Sequence, residues 1–328
     1  MSFLLRGIAA DGGVRVVAAD TTDLVEDARR RHDTSAVATA ALGRTLSGAL
    51  LLSHILLKGP QDRVTMRFRG DGPLGGIIAE AGLDGVARGY VSNGQVELPP
   101  REDGKLDVGG ALGRSGDLQV IRSHAPYGDP YSSSTPLASG EVAEDIATFL
   151  ATSEQINSAV LLGVFVQGGG VAASGGVILQ ALPDAGDEAL DVLARNVSRF
   201  GQLSEALRGR SLLEIVDELC RGLNFKLMTE TGLPLRFGCR CSDGKALDAL
   251  AYFTPAEREQ MIEEDGGAEV VCHWCGETRW ITPELIRSIG GDEIRCPDCG
   301  ALWYREGRTT MVRESEVCAC GRRVTLPD

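Results

Sequence analysis

All nine cysteines of this chain lie after residue 219, and eight of them fall into four close pairs. That distribution divides the chain into two kinds of polypeptide. The first two thirds must fold on an apolar core alone, whereas the last third, which also carries all three tryptophans (Trp274, Trp280 and Trp303), has the means to be stapled by metal or disulfide. With 328 residues there is length for one large domain and a smaller one. The N-terminus, MSFLLRGIAADGG, lacks a basic leader and a cleavage pattern and does not read as a signal peptide. A cytoplasmic location is therefore expected, and with it thiols devoted to metal or redox chemistry rather than to a disulfide framework.

The cysteine-free part reads as a sheet domain with packed helices. Thr22 to His32 carries a polar start and helical charge spacing, and Ala36 to Leu57 continues as a largely buried helix. The latter is the most apolar stretch, but Arg44, His54 and several Ser, Thr and Gly residues argue for a core helix and against a membrane span. Val64, Met66 and Phe68 alternate with Thr65, Arg67 and Arg69, the period of a half-buried strand. The turn sequences GDGPLGG, from Gly70, and GLDG, from Gly82, bracket a strand near residues 77–80, and Val86 to Ser92 and Leu118 to Ile121 read as further strands. Gly140 to Asn157 reads as an amphipathic helix. Ala159 to Gln167 and Val171 to Gln180 form a hairpin pattern around Gly168, Gly169 and Gly170, a triplet without the Lys and Ser or Thr of a phosphate-binding loop. From Gly186 the pattern turns helical, over Glu188 to Phe200 and Leu212 to Leu219, and such a pair must lay its apolar stripe across the sheet domain.

The expected fold class is α+β. It comprises an N-terminal mixed-sheet core domain with packed helices over 1–185, a helical linker over 186–237, a small C-terminal zinc-binding domain over 238–281, and an extra cysteine-rich extension over 282–328.

The chemistry sits in FGCRCSDG and EVVCHWCGE, which set Cys239-x-Cys241 thirty residues before Cys272-x-x-Cys275. Two sulfurs separated by one or two residues share an ion through a tight turn, and four thiolates suit tetrahedral zinc. On spacing alone, a permanent zinc staple and a switch stand level. The extension repeats the pattern as Cys296-x-x-Cys299 and Cys318-x-Cys320, each second cysteine followed by Gly, so a second zinc site is expected there. Cys275 and Cys296 are also separated by twenty intervening residues, within zinc-ribbon spacing, so the partition of the four pairs stays open. Cys220 reads as a small buried filler, and His273, between two candidate ligands, as a side chain pointing away from the ion.

Several segments together resemble the 33-kilodalton heat-shock protein family of redox-regulated chaperones. These are DGGVRVVAADTTDLVEDARRRHDTS from Asp11, RFRGDGPLGG from Arg67, GGVILQALPDA ending at Ala185, LRFGCRCS from Leu235, and the two cysteine pairs behind them. The likeness runs over roughly residues 3–280 and stops where the extension begins. It implies an ATP-independent holdase with no catalytic residue, inactive while reduced and zinc-bound, that binds unfolding client proteins under oxidative stress and forms a homodimer on activation. It places zinc on Cys239, Cys241, Cys272 and Cys275, leaving Cys296, Cys299, Cys318 and Cys320 as the extra set. It also implies disulfides Cys239–Cys241 and Cys272–Cys275 on oxidation, with zinc release, unfolding of the C-terminal region and exposure of apolar surface by the connector. If the extra set is inert to oxidation, removal of residues 283–328 is expected to sensitise such a switch.

Two rival readings come from other classes. A zinc-ribbon nucleic-acid-binding protein would use the same pairs with Arg322 and Arg323, but a net charge of −13 opposes phosphate and anionic-lipid binding alike. A thiol oxidoreductase would use Cys272-His273-Trp274-Cys275, but that motif does not follow the first strand of a βαβ unit.

Overall fold

The computed structural model describes residues 1–124, 129–228 and 231–289, with the backbone of residues 294–295 and 302–303. The chain divides into two compact units, Met1–Cys239 and Arg240–Asp328. The architecture is α+β.

The first unit begins with an antiparallel pair, β1 (Phe3–Ala9) and β2 (Val14–Asp20), followed by helices α1 (Thr22–His32) and α2 (Ala36–Leu56). An antiparallel meander follows, of β3 (Arg63–Gly70), β4 (Gly76–Gly82) and β5 (Val86–Val91), then α3 (Val108–Leu112), β6 (Gly116–Ser123) and β7 (Tyr131–Pro136). Helix α4 (Ala143–Thr152) leads into the hairpin β8 (Ser158–Gln167) and β9 (Gly170–Ala181). Its turn is the glycine pair Gly168 and Gly169, both at positive φ (+61° and +78°), the backbone that a two-residue hairpin matching strand twist requires.

Two sheets result. One has the order β1-β2-β9-β8, and the other β5-β4-β3-β6-β7. Helix α2 packs against strands of both, which is why it is buried nearly all round and why its apolar residues show no single stripe. It comes so close that a Cβ at Gly48 would sit 2.6 Å from the Ile146 side chain. Although α2 is long and apolar enough to cross a membrane, it is the central core helix of this unit. The alternation in β3 is realised fully, with Val64, Met66 and Phe68 all at 0% exposure.

Residues 186–237 fold within the first unit. Helices α5 (Asp187–Arg199), α6 (Leu203–Leu207) and α7 (Leu212–Leu219) lie on the first sheet, where Leu193, Leu203, Ile215 and Leu219 share a buried cluster with Leu5, Val16, Ala18 and Val177. Three two-residue strands complete the segment. β10 (Lys226–Leu227) and β11 (Leu233–Pro234) pair antiparallel with β1, and β12 (Arg236–Phe237) pairs parallel with β5.

The second unit is small. It holds α8 (Asp243–Leu250), α9 (Pro255–Asp265), the antiparallel pair β13 (Ala268–Val271) and β14 (Thr278–Ile281), α10 (Pro283–Arg287), and a further strand pair, β15 (Ile294–Arg295) with β16 (Leu302–Trp303). Helix α9 starts at a capping box of Thr254 and Glu257 with Pro255 in the first turn. The core among the described residues is built on Leu247, Leu250, Ile262, Ile281, Ile286 and Ile289. The first residues of the extension thus contribute two of its buried side chains.

Candidate metal centre

Each thiol of the site is delivered by a short, specific piece of backbone. Cys239 is the last residue of the first unit and follows β12 through Gly238, and a single residue separates it from Cys241, so the covalent chain keeps these two sulfurs together. Cys272 and Cys275 occupy the turn between β13 and β14. The Cys272 amide donates to the Glu277 carbonyl (2.9 Å), while the amides of Cys275 and Gly276 both donate to the Cys272 carbonyl (3.2 and 2.8 Å). Gly276 takes φ +70°, which lets the chain fold back directly after the second sulfur.

The Sγ atoms of Cys239, Cys241, Cys272 and Cys275 all lie within 4.8 Å of one another, and those of Cys241 and Cys275 are 3.6 Å apart. Four sulfurs at tetrahedral Zn–S distances stand roughly 3.8 Å apart. The group therefore fits a tetrahedral, thiolate-preferring ion, and these four cysteines could hold a metal. Among the described residues no other group of His, Cys, Asp and Glu is arranged to do so. Cys275 is 1% exposed, whereas the other three are half-buried, open to a small oxidant.

Two guanidinium groups stand beside the sulfurs. Arg279, on β14, lies 3.7 Å from Cys241 Sγ, 2.8 Å from Glu277 and against Asp243. Cys241 first, and then Asp243, holds its pKa above the ordinary arginine value. Arg88, on β5, reaches Cys239 Sγ at 4.0 Å and grips both carboxylate oxygens of Glu80. Burial works against the Arg88 charge, but Glu80 and Cys239 outweigh it. Neither arginine was visible in the cysteine spacing. Arg88 precedes Cys239 by 151 residues and meets it only because β12 adds to β5.

Among the described residues, these four cysteines stand apart from Cys220. Cys220 is buried in the cluster under α7, and burial, with Asp217 second, pushes its thiol up to about 12. His273 is exposed and is not one of the clustered residues. Cys296, Cys299, Cys318 and Cys320 lie outside the described residues.

Comparison with known proteins gives a consistent result. The sequence model of the family described as "Hsp33 protein" matches residues 2–282. A "33 kDa chaperonin" of Thermus thermophilus is 52% identical, with the alignment covering 100% of this chain and 98% of that protein. A "33 kDa chaperonin" of Deinococcus radiodurans is 47% identical over 89% of this chain and 99% of that one. The crystal structure of the 33 kDa chaperonin from Thermotoga maritima superimposes with a TM-score of 0.79 at 32% identity, covering 88% of this chain and 97% of that one. The family model thus ends where the extension begins, while the Thermus relative aligns through it.

Proposed function

From the premise that this chain belongs to the Hsp33 protein family, we propose that it is a redox-regulated, ATP-independent holdase, inactive when reduced and zinc-bound. The observation that carries this reading is the gathering of four thiols immediately after a connector whose helices cover an apolar sheet face. Zinc, when bound, stabilises the four thiolates and contributes roughly 10 to 16 kcal/mol of apparent binding energy to the folding of a module this small.

The rest is done by the chain's own residues. Hydrogen peroxide is the oxidant. A thiolate sulfur of the cluster attacks one peroxide oxygen, forming an S–O bond as the O–O bond breaks and hydroxide leaves. A neighbouring thiol then displaces the sulfenic oxygen, forming an S–S bond and releasing water. The pairs are Cys272 with Cys275 and Cys239 with Cys241, and a disulfide sulfur is no longer a thiolate ligand. The second unit then melts, and the connector over 186–237 loosens from Leu5, Val16, Ala18 and Val177, presenting apolar surface to unfolding clients. Cys296, Cys299, Cys318 and Cys320 supply a second zinc set. The active form is a homodimer, and the protein works in the cytoplasm on proteins rather than nucleic acids or membranes.

Zinc content and suppression of client aggregation, measured on reduced protein and again after peroxide at mild heat, test this. The expected result is zinc release with a gain in holdase activity, both reversed by reductant, and two zinc ions per reduced chain. Retained zinc with no gain in activity would reduce the protein to a zinc-stapled structure and sink the proposal.

A further inference from the structure

Residues 233–238 run along the edges of both sheets just before the thiol cluster. Leu233 and Pro234 pair with Leu4 and Phe3 of β1, and the Leu235 amide donates to the Ser2 carbonyl at 2.9 Å. Arg236 and Phe237 then lie parallel to Val86 and Ala87 of β5, with the Arg236 amide donating to the Gly85 carbonyl (3.1 Å) and the Gly238 amide to the Ala87 carbonyl (2.9 Å). Phe237 is 6% exposed. Its ring takes the Arg31 guanidinium at 5.6 Å and meets the His32 ring edge-on at 6.2 Å, both from α1. Gly85 makes the approach possible, because at φ +73° a Cβ there would lie 2.4 Å from the Pro234 carbonyl oxygen.

This is the geometry of strand addition to a sheet edge. Backbone hydrogen bonds accept any sequence, and one side-chain socket selects what sits in it. Only two residues of β12 are in register with β5, and parallel pairing is the weaker kind, so the segment is lightly held. Edge strands are managed in native proteins by covering them, and here the cover is a piece of chain that ends at a redox-sensitive thiol.

We propose that the β5 edge at Val86 and Ala87, with the Phe237 socket formed by Arg31 and His32, is a docking site for an extended polypeptide segment carrying an aromatic residue. In the resting chain Arg236 and Phe237 occupy it, and a client segment takes it when they leave. The occupant is identified by what already sits there: a short extended stretch with one aromatic anchor, a feature that unfolded proteins of unrelated sequence share. The inference rests on the chaperone reading above and assigns its client a surface.

The test uses the full-length chain and a fluorescein-labelled peptide reproducing residues 232–238, GLPLRFG, with a second peptide in which its Phe is replaced by Ser. Fluorescence anisotropy is followed with reduced wild type and with reduced Phe237→Ala and Gly238→Pro. The first variant empties the socket, and the second removes the amide that holds the strand. At least one variant is expected to bind the Phe peptide tenfold or more tightly than reduced wild type, to bind the Ser peptide tenfold more weakly, and to lose affinity when Arg31→Glu is added. Equal binding of the two peptides, no gain in either variant, or indifference to Arg31→Glu overturns the proposal. So does self-association of the variants that the peptide competes away, since that would give the edge to a second copy. Peroxide-treated wild type separates the two readings. If the variants bind the peptide as expected while oxidised wild type does not, the docking site stands and the redox reading fails.

Discussion

Burial of the His54 imidazole near the end of α2 leaves both ring nitrogens without a hydrogen-bond partner, and desolvation, with the Arg6 charge second, lowers its pKa to about 4. The unfolded chain, with an ordinary histidine near 6.5, takes up the proton first, so stability falls as pH drops through the window from 6.5 to about 4. The full effect is about 3 kcal/mol, reached below the lower value. Replacing His54 with Leu should flatten this part of the pH dependence, read as the difference in Tm between variant and wild type at pH 7 and pH 4.5. An equal slope in the two proteins would remove His54 from the account. Cys220 is held protonated by its surroundings. With its pKa pushed up to about 12, it stays protonated, and iodoacetamide at pH 8 should leave it unmodified in the native state and label it once the chain is denatured. The pairs Cys239 with Cys241 and Cys272 with Cys275 were legible because close sulfurs are a local pattern, but spacing left open which pairs share a site, and the family resemblance supplied that grouping. Arg88 and Arg279 were not legible, because their place beside the sulfurs is set by strand pairing, which leaves no mark in the cysteine spacing.

At the level of elements, legibility followed burial on one face. The limits read for α1 and α7, and the alternation in β3, match the structure because each has one buried side and one wet side. β1 and β2 went unread. Five of the seven residues of β2 and all but one of its central residues are buried, since α2 lies on one face of the first sheet and α7 on the other, so no alternation survives. α4 is shorter than its apolar pattern, starting at Ala143 rather than Gly140. The buried Asp145 carboxylate accepts the amides of Ala138, Ser139 and Val142 and fixes that stretch as a loop. Strands of two residues, such as β12, have no periodicity to read. The connector helices offer a direct handle. Ile215 of α7 is fully buried against the sheet, so Ile215→Ala should weaken the attachment by about 2 to 5 kcal/mol. It should also lower the temperature at which the chain binds an apolar dye after peroxide. An unchanged temperature would mean that the connector does not gate the apolar face.

Across the whole molecule, the first 219 residues contain no thiol, so oxidation cannot crosslink the sheets that form the larger core. The second unit is different, because its small core reaches beyond residue 282. Ile286 and Ile289 are 1% and 7% exposed and pack with Leu247, Leu250 and Ile281. Truncation after Ile281 should therefore destabilise that unit and sensitise the chain to peroxide, whereas truncation after Ile289 should remove only what the last cysteines contribute. Peroxide titrations of zinc release on the two truncated chains would separate these effects, and coincident curves would assign all the sensitisation to the far tail. Between β12 and Cys239 stands Gly238 alone, and one residue spans at most about 3.6 Å. Such a tether is short. Because the Gly238 amide that follows β12 is the one bonded to the Ala87 carbonyl, a displacement of Cys239 larger than this one residue can absorb is drawn from that hydrogen bond, so the strand answers the thiol as a lever answers its short arm, through covalent length.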